Sequence, residues 1–268
     1  MTEKIRTNAV PSWCSGCFNF QILAGVQQFL EEQLKKGKKK SDFAIATGIG
    51  CHAKIFDYLD LPGINTLHGR VPPTCIGIKL AKPDLNVIGF SGDGDGYAEG
   101  LEHTIHAARY NSDFKYFIHN NQVFALTLGE PTPTTEKGFT DASTPSVVKI
   151  QPINPIKIML SAGATFVARI SAEVKQVKEI IDEASKHKGF AFIEIIQPCL
   201  IFHNDAGYKE RFYNLQQAGH DKSNLKEAMQ KADEFDYSAK EGKIPLGVFY
   251  QTRKETFEEI MLNFKYKV

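Results

Sequence analysis

The segment Gly92-Asp93-Gly94-Asp95-Gly96 joins two residue types that do chemistry together. Glycines let a backbone approach a phosphate closely, and the free N–H groups at the start of a following helix favour an anion. Asp93 cannot bind phosphate itself, because like charges repel. It makes sense as a ligand for a divalent cation that in turn holds the phosphates. Asn121 follows 28 residues later, within His119-Asn120-Asn121-Gln122-Val123. An amide oxygen there, with a backbone carbonyl, could complete an octahedral oxygen shell. The spacing leaves room for one helix and one strand, which would bring two strand ends side by side. A lone Gly-Asp-Gly reads as a turn; its pairing with Asn-Asn at this distance argues for a site.

The five cysteines stand at 14, 17, 51, 75 and 199. Cys14 and Cys17 form a Cys-x-x-Cys just before a helical stretch, a pattern that suits redox chemistry, zinc or an iron–sulfur cluster. Cys51 and Cys199 would bring the thiolates to four. Residue chemistry alone leaves zinc and iron–sulfur equally open. An odd, scattered set in a chain that opens without an apolar leader is no disulfide framework, so the expected compartment is the cytoplasm.

These residues need elements to position them. Short apolar runs at Phe43–Thr47, Ile64–Leu67, Val87–Phe90, Lys115–Ile118, Ala164–Val167 and Phe190–Ile196 read as strands. Helix-length stretches separate most of them, notably 98–110 and 172–187, and residues 17–34 show a helical period. Near-continuous apolar strands alternating with helices predict an α/β fold, a parallel sheet flanked by helices. Ligands of such sheets sit beyond the carboxyl ends of the strands. Those ends here carry Gly50-Cys51, His68-Gly69-Arg70, Gly92-Asp93-Gly94-Asp95, Asn120-Asn121 and Pro198-Cys199. Residues 129–155, rich in Thr and Pro, read as a long loop, and about 205–268 as a polar helical extension with one last strand at Leu246–Tyr250. The chain divides into a binding domain over 1–204 and an extension over 205–268 that packs on it or on a partner. With 268 residues, 42% hydrophobic and 24% charged, and a net charge of +1, the composition is that of an ordinary globular protein. Neither nucleic acid nor a membrane is an expected partner.

The Gly-Asp-Gly to Asn-Asn arrangement resembles the thiamine diphosphate motif. By that resemblance Mg²⁺ is held by Asp93, the Asn121 side chain and the main-chain oxygen of Val123. Trp13-Cys14-Ser15-Gly16-Cys17, Gly48-Ile49-Gly50-Cys51-His52-Ala53-Lys54, His68-Gly69-Arg70, Gly92-Asp93-Gly94-Asp95 and Gln197-Pro198-Cys199 follow one another in this order. From Trp13 to Ile244-Pro245-Leu246-Gly247-Val248-Phe249-Tyr250, the chain is similar to the β subunit of 2-oxoacid:ferredoxin oxidoreductases. The resemblance implies the thiamine-diphosphate-binding fold and one 4Fe–4S cluster on Cys14, Cys17, Cys51 and Cys199, with Cys75 left to packing. It implies Gly50, Cys51, His68, Gly69, Arg70, Gly92, Gly94, Asp95, Leu126 and Thr127 beside the cofactor, and Lys54 near the substrate. It implies oxidative decarboxylation of a 2-oxoacid, with coenzyme A accepting the acyl group and ferredoxin the electrons. The carboxylate that activates the cofactor has no candidate in this chain and is expected from an α subunit, giving a dimer of αβ pairs. Two other readings compete: a non-redox thiamine decarboxylase subunit, which needs no four cysteines, and a zinc-stapled scaffold without catalysis.

The chain departs from the family after Asn-Asn. Leu128 stands where a lysine is common, and Glu130 adds an anion, a change of two charge units beside the cofactor. Substrate choice and coenzyme A use are where that difference is expected to tell.

Overall fold

Ten strands form among the residues described by the computed structural model, namely 4–140, 147–204, 208–238 and 241–263. They are β1 (Phe43–Thr47), β2 (Gly63–Asn65), β3 (Asn86–Gly92), β4 (Lys115–Asn120), β5 (Val123–Phe124), β6 (Glu130–Pro131), β7 (Phe166–Ser171), β8 (Ala191–Ile196), β9 (Phe212–Asn214) and β10 (Ile244–Gln251). Eight of them make one sheet in the order β2-β1-β3-β4-β8-β7-β10-β9. Every neighbouring pair in it is parallel except β10 with β7. Strands β5 and β6 form a separate antiparallel hairpin.

The apolar runs dictate this arrangement. Every residue of β1, β4, β7 and β8 is buried, as strands covered on both faces must be. Alternate side chains enter opposite cores. Ile193 and Ile195 of β8 join Phe90 and Phe117 under the helices Asn19–Lys35 and Val174–Lys186. Phe192 joins Tyr116 and Ile118 under Val71–Ala81, Leu101–Tyr110, Pro155–Ser161 and Leu225–Ala232. The expected Cys75 packing holds: it is fully buried in this second core.

Two elements differ from the sequence pattern. The helix Val71–Ala81 begins with two prolines, Pro72 and Pro73, which mask it in a periodicity reading. In a first turn they cost no hydrogen bond, because those N–H groups have no partner anyway. The C-terminal residues also do more than wrap the surface, since β10 pairs with β7 and buries Ile244, Leu246, Val248 and Phe249. The boundary expected between 204 and 205 adjoins residues 205–207, which lie outside the described set, as do 141–146 of the long loop.

A buried ion pair between β7 and β8 meets the C-terminal segment. Arg169 Nε donates to Glu194 Oε2 at 2.8 Å, both side chains fully buried. The guanidinium lies against the rings of Phe235, Tyr237 and Phe249, all three from the C-terminal segment. The other carboxylate oxygen of Glu194 accepts from Tyr97 and from Asn120. Removing one partner of a buried pair leaves an uncompensated charge. Arg169→Met is therefore expected to destabilise the fold by about 3–5 kcal/mol, read as a lower midpoint in urea. An unchanged midpoint would show that the pair does not tie the C-terminal strands to the sheet.

Candidate active site

The carboxyl ends of β1, β3, β4 and β8 converge on a cavity of about 100 Å³. Gly50, Cys51, His68, Gly92, Asp93, Gly94, Asp95, Asn121, Val123, Leu126 and Thr127 all line it. The strand-end rule thus collects residues from separate stretches of chain. The walls also include Phe124 and Ala125 of the β5–β6 hairpin.

Asp93 follows β3 directly and is buried. Its Oδ2 accepts from the hydroxyls of Thr132 at 2.6 Å and Thr134 at 3.1 Å, and its Oδ1 from the Asn121 N–H at 3.4 Å. Burial pushes its carboxyl up to about 6, and these donors only partly offset that. Among the described residues, no Lys or Arg lines the cavity. The carboxylate therefore stands in a place that favours a cation it does not get from the protein. Asn121 lines the same cavity. Its Oδ1 accepts from the Val123 N–H at 3.1 Å, closing a tight turn with Gln122 at φ +62°. Around Asp93, among the described residues, no three His, Cys, Asp or Glu side chains form a metal-binding group. A cation at Asp93 would thus take one carboxylate, amide and main-chain oxygens, and oxygens from ligand and water, which is how Mg²⁺ is commonly held.

Asp95 has a different task. Its Oδ1 accepts from the Gly69 N–H at 2.8 Å and the Ile49 N–H at 3.3 Å, and His52 and His68 approach its carboxylate at 3.5 and 3.4 Å. Burial alone would raise its carboxyl, but His52, Ser91 and the Gly69 N–H together hold it below the usual range. Asp95 thus ties the loops after β1 and β2 to the loop after β3. Two glycines permit the closeness. A Cβ on Gly48 would sit 1.8 Å from Asp95 Oδ2, and one on Gly69, at φ +69°, would meet the Glu99 carbonyl oxygen at 2.3 Å. In place of the regular helix expected from 98, the chain after Asp93 makes a wide π-helical turn over Gly94–Ala98, and a regular helix starts only at Leu101. Gly94, Gly96 and Gly100 weaken a regular helix there.

The four expected ligand cysteines line a second cavity of about 170 Å³. The Cys17 N–H donates to the Cys14 carbonyl at 3.1 Å, and Trp13 Nε1 donates to the Cys51 carbonyl at 2.7 Å, which pins the N-terminal segment to the Cys51 loop. Burial raises the Cys17 thiol and takes Cys51 up to about 11, the latter against the pull of Lys54. Metal binding to such thiols would release their protons. The two cavities share Cys51, Asn121, Ala125, Leu126 and Gln197.

The remaining expected residues divide. His68 faces the first cavity and Gly69 supports it through Asp95. Arg70 is exposed and turns away, its guanidinium donating to the Glu99 carbonyl at 3.1 Å. Lys54 lines the cysteine cavity rather than the first, and its ammonium donates to the Ser12 carbonyl at 3.3 Å. Sequence reasoning missed the hydroxyls of Thr132 and Thr134 on Asp93, and it missed Asn19, His119 and Gln197. His119 is buried, its Nδ1 lies 2.8 Å from Asn19 Oδ1, and burial keeps its imidazole neutral. The signal for the threonines is the clustering of hydroxyls in Thr132-Pro133-Thr134-Thr135, after the Asn-Asn segment.

Comparison with known proteins agrees with the geometry. Residues 48–195 match the family described as thiamine pyrophosphate enzyme, C-terminal TPP binding domain. Residues 205–266 match the family that describes the C-terminal part of the beta subunits of pyruvate ferredoxin oxidoreductase. The chain is 39% identical over 259 residues to the 2-oxoacid:ferredoxin oxidoreductase subunit beta of Saccharolobus solfataricus, covering 92% of this chain and 84% of that one. It is 38% identical to the 2-oxoglutarate synthase subunit KorB of Archaeoglobus fulgidus, covering 74% of this chain and 73% of that one. Its fold superposes with a TM-score of 0.90 and 33% identity on a 2-oxoglutarate:ferredoxin oxidoreductase from Magnetococcus marinus solved with 2-oxoglutarate, coenzyme A and succinyl-CoA bound. That likeness covers 97% of this chain and 88% of the other. With a thiamine-binding sheet, the matching C-terminal segment and relatives along nearly its whole length, the chain belongs to the β subunits of the 2-oxoacid:ferredoxin oxidoreductases.

Proposed function

We propose that this subunit binds thiamine diphosphate through Mg²⁺, carries one 4Fe–4S cluster, and with an α subunit oxidatively decarboxylates a 2-oxoacid to acyl-CoA and CO₂, with ferredoxin as electron acceptor. The observation that carries this reading is the shared wall between the two cavities. Cys51 lines both cavities, with Asn121, Ala125, Leu126 and Gln197 beside it, so electrons have a short way out.

Thiamine diphosphate supplies an electron sink for the carbanion left when CO₂ departs. The chain's own residues do the rest. Asp93, the Asn121 amide oxygen and the Val123 carbonyl hold the Mg²⁺, and the threonine hydroxyls keep Asp93 oriented. Asp95 fixes the loops that carry Gly50, His68 and Gly69, while Leu126 and Thr127 cover the cofactor from the hairpin side. Cys14, Cys17, Cys51 and Cys199 hold the cluster, and Lys54 lends that cavity a positive charge. A zinc scaffold would have no use for a cofactor pocket that shares Cys51 with the four thiols. A non-redox decarboxylase would have no use for them.

The α subunit is the proposed cover of the site. Leu126 and Ile201, which line the cavities, are 48 and 61% exposed, and Leu128 and Leu67, next in sequence to the lining residues Thr127 and His68, are 64 and 74% exposed; exposed apolar residues gathered at a site mark an interface. The free thiols fit a reducing cytoplasm. The test is ferredoxin reduction by the assembled pair with pyruvate, 2-oxoglutarate, branched-chain and aryl 2-oxoacids. Activity with one of them that requires thiamine diphosphate and coenzyme A is expected; reduction independent of thiamine diphosphate would overturn the reading.

The departure at Leu128 gives a second expectation. Glu130 is engaged within its own turn, accepting from the Leu128 N–H at 3.1 Å and from the Thr127 hydroxyl, so its charge is partly neutralised there. Leu128 is open to solvent. Leu128→Lys would add a cation at the mouth, about 1 kcal/mol for a charge pair in water. A several-fold lower Michaelis constant for coenzyme A is expected in the assembled enzyme. An unchanged constant and unchanged 2-oxoacid ranking would show that this loop does not set anion recognition.

A further inference from the structure

Asn19 sits in the first turn of the helix that follows Cys14-x-x-Cys17, and it is 1% exposed. A buried amide in a helix core costs stability unless both of its ends are bonded, and an apolar residue would fill the space more favourably. Both ends are bonded. Asn19 Nδ2 donates to Cys17 Sγ at 3.6 Å, and Asn19 Oδ1 lies 2.8 Å from His119 Nδ1. Because only the amide nitrogen can donate to sulfur, its oxygen must accept. His119 therefore carries its proton on Nδ1, and its Nε2 is left as a lone pair. That Nε2 is buried without a partner, and His119 lines the cofactor cavity. A second amide also converges on the same sulfur, Gln197 Nε2 at 3.8 Å. Among the described residues, no side-chain donor is bonded to the sulfur of Cys14, Cys51 or Cys199.

We propose that Asn19, held in orientation by His119, tunes the electron affinity of the cluster through its hydrogen bond to Cys17, linking the cofactor cavity to the cluster through three side chains. The inference rests on the four-cysteine cluster proposed above. An N–H donor stabilises the extra negative charge that a reduced cluster spreads onto its sulfurs, so it raises the reduction potential. The unequal distribution of donors makes Cys17 the thiolate best able to carry that charge. His119 is a positioning residue here. Without it the amide keeps its donor but loses the bond that aims it, as with outer partners of metal ligands generally.

The test is a dye-mediated redox titration of the anaerobically purified αβ complex, followed by electron paramagnetic resonance. Iron and sulfide content and thiamine diphosphate binding are measured on the same samples. Asn19→Leu removes the donor at similar size. Asn19→Asp keeps an acceptor for His119 but places a carboxylate beside the sulfur. His119→Leu leaves the amide free to turn. The expected midpoint potentials fall from wild type through His119→Leu and Asn19→Leu to Asn19→Asp, with iron content and cofactor binding retained in the Asn19 variants. Unchanged potentials at full iron content would overturn the inference. Loss of iron from both Asn19 variants, with thiamine diphosphate still bound, would also overturn it, because Asn19 would then hold the cluster rather than tune it. A wild-type complex without iron and sulfide would instead sink the cluster assignment beneath it.

Discussion

Asp93→Ala is expected to weaken Mg²⁺-dependent thiamine diphosphate binding by about 100-fold or more, roughly 3 kcal/mol. The reason is the isolation of this carboxylate: it is buried, and no Lys or Arg lines its cavity among the described residues. Without it the diphosphate loses the cation that joins it to the protein. Calorimetry with and without Mg²⁺ reads the effect, and near wild-type affinity in the variant would sink the assignment. Asp93→Asn separates the charge from the shape. In the metal-free protein the Asp93 carboxyl titrates at about 6, raised by burial from its usual value. A carboxyl raised on folding stabilises fully below its unfolded pKa, and that contribution is lost as pH rises through the folded one. The metal-free wild type should therefore lose stability between about pH 4 and 6 relative to Asp93→Asn. Above that window the variant should be the more stable of the two. Mg²⁺ with thiamine diphosphate should reverse the order.

The cysteines carry the other large effect. Cys14, Cys17, Cys51 and Cys199 come from three distant parts of the chain yet line one cavity, so a cluster on them would also staple the fold. Serine at any one of the four is expected to bleach the broad visible absorption and lower the thermal midpoint by several degrees, since about 1 kcal/mol moves a chain of this size by ~2–4 °C. Cys75 is fully buried in the opposite core, where burial holds its thiol protonated. Serine there should leave the absorption intact. Iron lost from the Cys75 variant alone would show that the ligand set is wrong.

What could be read from the sequence and what could not follow one physical line. Strands that are buried on both faces write themselves as short apolar runs, so β1, β4 and β8 were legible almost to the residue. Residues whose side-chain type already specifies a chemistry, such as Asp93, Asn121, Cys51 and Cys199, announce themselves at strand ends. The helix Val71–Ala81 was hidden by prolines that are harmless only in a first turn. Strand β9, three residues long and only partly buried, has no periodicity to find. Thr132 and Thr134 look like loop composition until a turn brings their hydroxyls onto Asp93. Asn19 reads as one more polar residue in a helix, because its partner His119 is 100 positions away. Arg70, expected at the cofactor, bonds the Glu99 carbonyl, an orientation its residue type does not reveal. Residue type reveals the groups that do chemistry, but orientation and supporting contacts exist only in the folded chain.

The proximity of the two cavities is best tested by watching the cluster during a single turnover. The anaerobically purified αβ complex, loaded with thiamine diphosphate and Mg²⁺ but without ferredoxin, is mixed with its 2-oxoacid and followed by visible absorption and electron paramagnetic resonance. The expected result is loss of the oxidised cluster's absorption with appearance of a reduced-cluster signal, and neither change when thiamine diphosphate is omitted or Asp93 is replaced by alanine. A cluster that stays oxidised while CO₂ is released would contradict the electron path across the wall formed by Cys51, Asn121, Ala125, Leu126 and Gln197.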